Sequence, residues 1–300
     1  MKFQWVYNKE SSQQIKSYLK EQGVSKGLLA KIKFQGGSIK VNGKVENVLY
    51  QLSMGEQLTI VVPDEGEHET MLPSDEPIVI LYEDEHFLVV DKPAGIATIP
   101  AQYHPNGTMA NRVKGYYQRM GYKDQVIHVV TRLDRDTSGV MLFAKHGFAH
   151  AMLDQQLRQK KVTKIYHALV SGDIAKLSAH GQIIAPISRE RTSLLKRTVS
   201  EDGRYAETEY WLTAVSDKNQ GIAFVRIQLH TGRTHQIRVH FESIGCSLLG
   251  DELYNGALDK GIERQALHCS HLSFKHPFTN EELFFDSPLA EDMQRLIDRK

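Results

Sequence analysis

Long apolar runs are missing from this 300-residue chain. No stretch approaches the roughly 20 apolar residues that a bilayer-spanning helix needs, and the opening segment MKFQWVYNKESSQQ lacks the apolar core of a secretory signal. Cysteine is equally scarce. Cys246 and Cys269 are too few for a disulfide framework and have no metal-ligand spacing, which favours a reducing compartment. A formal net charge of +1 excludes a uniformly basic surface, so any contact with nucleic acid has to be local. With 41% hydrophobic and 24% charged residues, neither disorder nor a fibrous repeat is indicated. What is left is a cytoplasmic globular protein with no membrane partner, taken as a monomer, and long enough for a large domain with a small appendage.

Residues 13–62 read as two short helices followed by small strands, with Gly23, Gly36, Gly37 and Gly55 as punctuation. The Asn42-Gly43 pair predicts a tight hairpin after the strand-like SIKV of residues 38–41. Residues 63–77 are acidic, bounded by proline and without period, as a linker is. The expected organisation is therefore a small domain over 1–62, a linker over 63–77 and a large domain over 78–300. Within the last, strand-like runs fall at 78–82, 87–90, 140–144, 165–170 and 207–215. Residues 146–161 place Phe148, Ala151, Met152 and Leu157 at helical spacing, and Ala223, Val225, Ile227 and Leu229 alternate with Phe224, Arg226, Gln228 and His230, as in a strand with one buried face. Antiparallel-looking pairs mixed with helices, without a repeating strand-helix unit, predict an α+β fold.

The densest polar segment is TRLDRDTSG, residues 131–139, directly before an apolar strand. A carboxylate between guanidinium groups suits an acidic nucleophile or base, since an adjacent cation keeps it ionised; an ordinary charged turn has the same composition. Basic residues cluster in RQKKVTK (158–164) and RERTSLLKR (189–197), and a solvated helix face accounts for the first equally well. His230, His235 and His240 recur every five residues, with His268, His271 and His276 following. Helical metal-ligand pairs are usually four apart, so these are read as packing or hydrogen-bonding residues and no metal is assigned.

Residues 125–145, QVIHVVTRLDRDTSGVMLFAK, closely resemble the signature of the RluA-type pseudouridine synthases. The resemblance continues with DKPAGI (91–96), KIYHALV (164–170), LHTGRTHQIRVH (229–240), LLGDELYNG (248–256) and ALHCSHLSFKHP (266–277), six motifs in order over residues 77–288. It implies a mixed, curved β-sheet with a central cleft. It also implies isomerisation of uridine to pseudouridine in RNA, a reaction with no redox change and no external group, hence no cofactor. By resemblance Asp134 is the catalytic carboxylate, Arg238 its salt-bridge partner with Arg233 as competitor, and Tyr166 the ring that stacks on the base and assists proton removal. Arg132 holds the opened RNA, and the polar segment 187–198 grips it through Arg189, Arg191, Lys196 and Arg197. Thr131 departs from the histidine common at that position, so no role is carried over for it. The amino-terminal segment, with its Val-Asn-Gly turn, resembles the small RNA-binding domain named after the fourth small-subunit ribosomal protein. Large-subunit ribosomal RNA is the leading substrate and transfer RNA the alternative. Two rivals remain: an RNA-binding protein of this fold without catalysis, and a glycoside or nucleoside hydrolase using Asp136 as a second carboxylate.

Overall fold

The computed structural model describes residues 1–67, 70–101, 104–193, 195–216 and 221–298. The chain opens with β1 (Lys2–Val6), the two-residue β2 (Gln13–Gln14) and two helices, α1 (Ile15–Glu21) and α2 (Lys26–Phe34). Then come β3 (Ser38–Val41), β4 (Lys44–Val45), β5 (Gln51–Leu52) and β6 (Gln57–Val61). Four of these strands pair in the order β1-β6-β3-β4. The helices and the hairpin agree with the sequence reading, whereas β1 has no counterpart in it. Asn42 and Gly43 both take positive φ, 48° and 83°, as a two-residue turn matched to strand twist requires. Ser25 caps α2 by accepting from the Leu28 amide at 3.1 Å. The apolar residues between sheet and helices, among them Phe3, Leu19, Ile32 and Leu58, also pack against Phe148 of a later helix.

Residues 63–77 carry no helix or named strand among those described; positions 68 and 69 lie outside them. The segment is nonetheless tied down. Asn111 Nδ2 donates to the Leu72 carbonyl at 2.7 Å, Lys114 Nζ to that of Met71 at 2.8 Å, and Glu65 pairs with His128 at 2.6 Å.

Next come β7 (Val79–Glu83), β8 (Phe87–Lys92), α3 (Met109–Arg119), β9 (His128–Val129), β10 (Ser138–Ala144) and α4 (Gly147–Arg158). They are followed by β11 (Thr163–Ser171), β12 (His180–Ile184), the hairpin β13 (Ile187–Arg189) and β14 (Arg197–Val199), β15 (Glu207–Val215) and β16 (Ile222–Leu229). The chain ends with α5 (Gln236–Ser243), β17 (Leu267–Lys275), β18 (Glu282–Asp286) and α6 (Glu291–Asp298). Ten of these strands form one mixed sheet whose main path is β12-β15-β16-β11-β17-β10-β8-β7. This is the α+β mixed sheet expected. In β16, Ala223, Val225 and Ile227 are buried while Phe224, Arg226 and Gln228 are partly exposed, so the alternation reports one core face. The segment 187–198, expected only as a polar RNA-gripping stretch, contains the β13–β14 hairpin.

Among the described residues the sheet has one parallel junction, between β10 and β17, where Ser138 aligns with His268 and Gly139 with Cys269. Gly139 has φ +111°, and a Cβ there would lie 2.1 Å from the Cys269 carbonyl oxygen, so only glycine lets the strands approach. On its other side Cys269 aligns with Tyr166 of β11. The loop before β10 and the inner face of β11 are thereby set on either side of one strand.

Candidate active site

A cleft of about 670 Å³ opens over this junction, and Asp134, Tyr166 and Arg238 all line it. Asp134 sits in the turn between β9 and β10, which is held from below by buried polar groups. Thr98 Oγ1 donates to the Leu133 carbonyl at 2.7 Å and accepts from its amide at 3.2 Å. Lys92, fully buried, donates from Nζ to the carbonyls of Pro93, Ile96 and Arg135 at 2.9, 2.6 and 2.8 Å. Burial pushes the Lys92 amine down to about 7, against the pull of Asp136 and Asp134. Thr131, for which the family pattern supplied no role, accepts the Leu142 amide at 2.9 Å and so ties the start of the turn to β10.

Arg238 arrives from α5, whose first turn begins at His235 in the left-handed conformation, φ +57°. Its guanidinium is held by Asp251: Nε donates to Oδ2 at 2.7 Å and Nη2 to Oδ1 at 2.8 Å. The remaining Nη1 reaches Asp134 Oδ2 at 3.4 Å, and the whole group lies 4.8 Å over the Tyr254 ring. The Asp251 side chain is 1% exposed, that of Arg238 8% and that of Asp134 27%, so the fork is buried and the Asp134 carboxylate is the most exposed of the three. Burial works against the Arg238 charge, but the Asp251 hydrogen bonds and the two carboxylates more than offset it and its pKa is raised. His235 Nε2 lies 4.0 Å from the same Asp134 oxygen, and its Nδ1 is 2.9 Å from the Tyr254 hydroxyl. Tyr166 is a neutral phenol, its pKa driven well above 10 by burial and by Cys269 and Asp134. Burial likewise pushes the neighbouring Cys269 thiol up to about 12.

Of the other expected site residues, Arg132 and Arg233 are exposed and also line the cleft. Arg233 turns Nε to the Tyr205 carbonyl at 3.0 Å, whereas Arg238 faces Asp134. Arg189, Arg191, Lys196 and Arg197 do not line it. Their hairpin packs beside α5: Lys196 pairs with Glu242 at 3.0 Å, and the Arg197 amide donates to the Tyr254 hydroxyl at 2.8 Å. Position 194 of that segment lies outside the described residues. Asp136 is chelated by Arg135 at 2.9 to 3.1 Å and is not part of the cleft lining. The six histidines have separate partners. His230 pairs with Glu209, His240 with Thr208, His268 with Ser138, His271 with Asp286 and His276 with Asp84, while His235 faces Asp134. Leu267 lines the cleft and Leu272 is core.

Sequence reasoning missed Asp251, Tyr254, His235 and Lys164. All four lie inside quoted motifs. The available signal was an acidic residue following the apolar LLG of LLGDELYNG, since a carboxylate in such company needs a cation.

Comparison with known proteins adds an independent line. The model of a family described as RNA pseudouridylate synthase matches residues 86–243. The chain is 45% identical to an RNA pseudouridine synthase of Bacillus subtilis, YjbO, over 94% of its own length and 98% of that protein's. It is 36% identical to the ribosomal large subunit pseudouridine synthase D of Pseudomonas aeruginosa, covering 87% of this chain and 83% of that one. Among solved structures, human RNA pseudouridylate synthase domain containing 1 superposes with a TM-score of 0.60 at 22% identity, over 74% of this chain and 89% of that one, a likeness of fold.

Proposed function

We propose, from the premise that this chain belongs to the RNA pseudouridylate synthase family and is an RNA-modifying isomerase, that Asp134 is its nucleophile and large-subunit ribosomal RNA its substrate. The observation that carries the first part is the approach of Arg238 Nη1 to Asp134 Oδ2 at 3.4 Å beside the Tyr166 ring. A carboxylate entering a cleft that a base will fill needs a cation to stay charged, and Arg238, locked by Asp251, supplies one without having to move.

In the reaction the bond from ribose C1′ to the ring nitrogen breaks, a bond from C1′ to a ring carbon forms, and the proton on that carbon leaves while the nitrogen gains one. The Asp134 carboxylate attacks C1′, assists its ionisation or adds to the ring; all three use the same position. Tyr166, held neutral, stacks on the uracil, worth about 1 to 3 kcal/mol against the cost of turning the nucleotide out of its stack, and its hydroxyl assists passage of the ring proton to water entering the open cleft. Arg132 and Arg233 at the rim hold the displaced RNA, and the β13–β14 hairpin with Arg189, Arg191, Lys196 and Arg197 contacts it outside the cleft. Residues 1–62, with nine lysines and four glutamates and no other charged side chain, form a separate RNA-binding domain that tethers the enzyme. The ribosomal target is supported by the name of the Pseudomonas relative. We take the enzyme to act as a monomer in the cytoplasm.

The test is pseudouridine mapping of total RNA from a deletion strain complemented with wild type or Asp134→Asn. Wild type alone should restore the lost sites, with the variant at least about 1,000-fold slower on the same RNA in vitro, a loss of about 4 kcal/mol of transition-state stabilisation. Equal restoration would remove Asp134 as nucleophile. No change at any site would leave an RNA-binding protein of this fold, and sites confined to transfer RNA would move the substrate.

A further inference from the structure

We propose that the turn leaving α4 forms a phosphodiester-binding lip, in which Lys160 and Lys164 receive backbone phosphates of the RNA on the wall of the cleft facing Arg132 and Arg233. The proposal rests on reading the cleft as the RNA site and adds a surface to it. Arg158, Lys160 and Lys164 line the same cleft as Asp134, which the composition of RQKKVTK did not distinguish from an ordinary solvated helix face.

The backbone of the turn makes that ordinary reading insufficient. Past the helix cap at Gln159, the Lys160 amide donates to the Leu157 carbonyl at 3.1 Å and the Lys161 amide to that of Gln156 at 2.9 Å. This is the paired ending in which the first residue beyond the cap is left-handed, a place that glycine fills at no steric cost. Lysine stands there instead, at φ +57°. Cations near a helix C-terminus complement its dipole, and that is enough to explain Arg158, which is paired with Asp154. It does not explain a strained lysine one residue past the cap. A strained non-glycine residue at the edge of a site points to its side chain, and this one reaches the cleft with a single partner among the described residues, Glu207 at 3.4 Å.

Lys164 is the second observation. It lies two residues before Tyr166 on β11, hence on the same face of the strand. Its Nζ packs against the opposite loop, 3.6 Å from where a Cβ on Gly232 would be. Burial lowers the pKa of this amine, and Nζ makes no hydrogen bond or ion pair to a described residue. A partly buried lysine whose charge burial opposes gains from an anion beside it, so the missing counter-charge is one that a ligand brings. In a cleft for RNA that ligand is a phosphate oxygen, and the two carboxylates nearby, Asp154 and Glu207, are the groups it displaces.

The test uses the full chain and a fluorescein-labelled oligouridylate, with anisotropy read across a salt series. Lys160→Gly keeps the left-handed turn and removes the charge, so its Tm should equal or exceed that of wild type while Kd rises about three- to tenfold. Lys164→Met, which keeps the apolar stem, should weaken binding by a similar factor. Each should reduce the slope of log K against log salt by about 0.7, the share that one neutralised phosphate contributes on a single strand. Lys161→Gln, next door but outside the cleft lining, should bind as wild type does. Unchanged affinity and slope in the first two variants, or an equal weakening in Lys161→Gln, would overturn the lip. Because this readout is binding, it stands apart from the catalytic reading, whose failure would show as an absence of pseudouridine with wild type.

Discussion

Burial penalises ionisable groups beneath the small N-terminal sheet and in the cleft, and His146 in the first answers it differently from Arg238 in the second. Under the sheet, Phe3 of β1 lies with its ring 6.0 Å from His86, 5.7 Å from His146 and 5.3 Å from Phe278. His146 Nδ1 accepts the Ala149 amide and caps α4, which leaves its proton on Nε2, facing His86 Nδ1 at 3.0 Å. Both rings are neutral, burial having driven His146 down to about 3 and His86 below its ordinary value. In the cleft Tyr166 is neutral too, but the Arg238 charge is kept and paired, between Asp251 and Asp134. In the seam, packed against Phe3 and Phe278, His86 and His146 gain by staying uncharged, because no described carboxylate pairs with either ring. A site that must present a carboxylate to a base carries the cost of desolvating ions, and a complete hydrogen-bonded fork offsets it.

The comparison is broken most severely on the cleft side. Asp251→Ala leaves the buried guanidinium without its two-point partner and should lower the urea-unfolding free energy by about 3 to 5 kcal/mol. Asp251→Asn should cost less and still reduce pseudouridine formation, since Arg238 then follows Asp134 alone. A loss below about 1 kcal/mol in the alanine variant would mean that solvent already serves the fork.

On the seam side the lever is pH. The folded pKa of His146, about 3, lies below the unfolded value near 6.5, so between them the unfolded chain binds the extra proton. The contribution is therefore intact above pH 6.5 and is lost as pH falls towards 3, by about 1.4 kcal/mol per unit and about 2 kcal/mol by pH 5. His146→Asn keeps a good N-cap and removes the titration, so its stability should fall less steeply over that range. Parallel slopes in the two proteins would place the proton elsewhere in the cluster formed with His86, Glu65 and His128. The smallest effect belongs to Tyr254→Phe. It deprives the Arg197 amide and His235 of the hydroxyl they share, at a cost of about 1 to 2 kcal/mol with the fork otherwise intact, measurable as a shift of the urea midpoint at constant slope.

Legibility followed the range of the interaction. The Asn42-Gly43 hairpin, the alternation of β16 and the helix after β10 are written in neighbouring residues, and each was read correctly from them. The strand β1 was missed because KFQWV becomes a strand by pairing with β6, more than 50 residues away. The segment 187–198 was read only as a polar RNA-gripping stretch because its basic residues mask a three-residue pairing of Ile187–Arg189 with Arg197–Val199. Arg158 to Lys164 looked like a charged helix face, and only the left-handed turn at Lys160 brings it to the cleft.

The sequence by itself determined the α+β class and the six ordered motifs, because motif order and side-chain period are properties of the chain, and the family resemblance those motifs carry named Asp134, Tyr166 and Arg238 as candidates. Tertiary structure alone decided the rest. Arg238 faces Asp134 across 104 positions, while Arg233, nearer in sequence, turns to a backbone carbonyl. Asp251 became the anchor of the site, and two histidines distant in sequence lost their charge against one phenylalanine. Each of these depends on which groups share a volume from which water has been removed. Desolvation is a property of the folded surroundings and is carried by no single stretch of the chain.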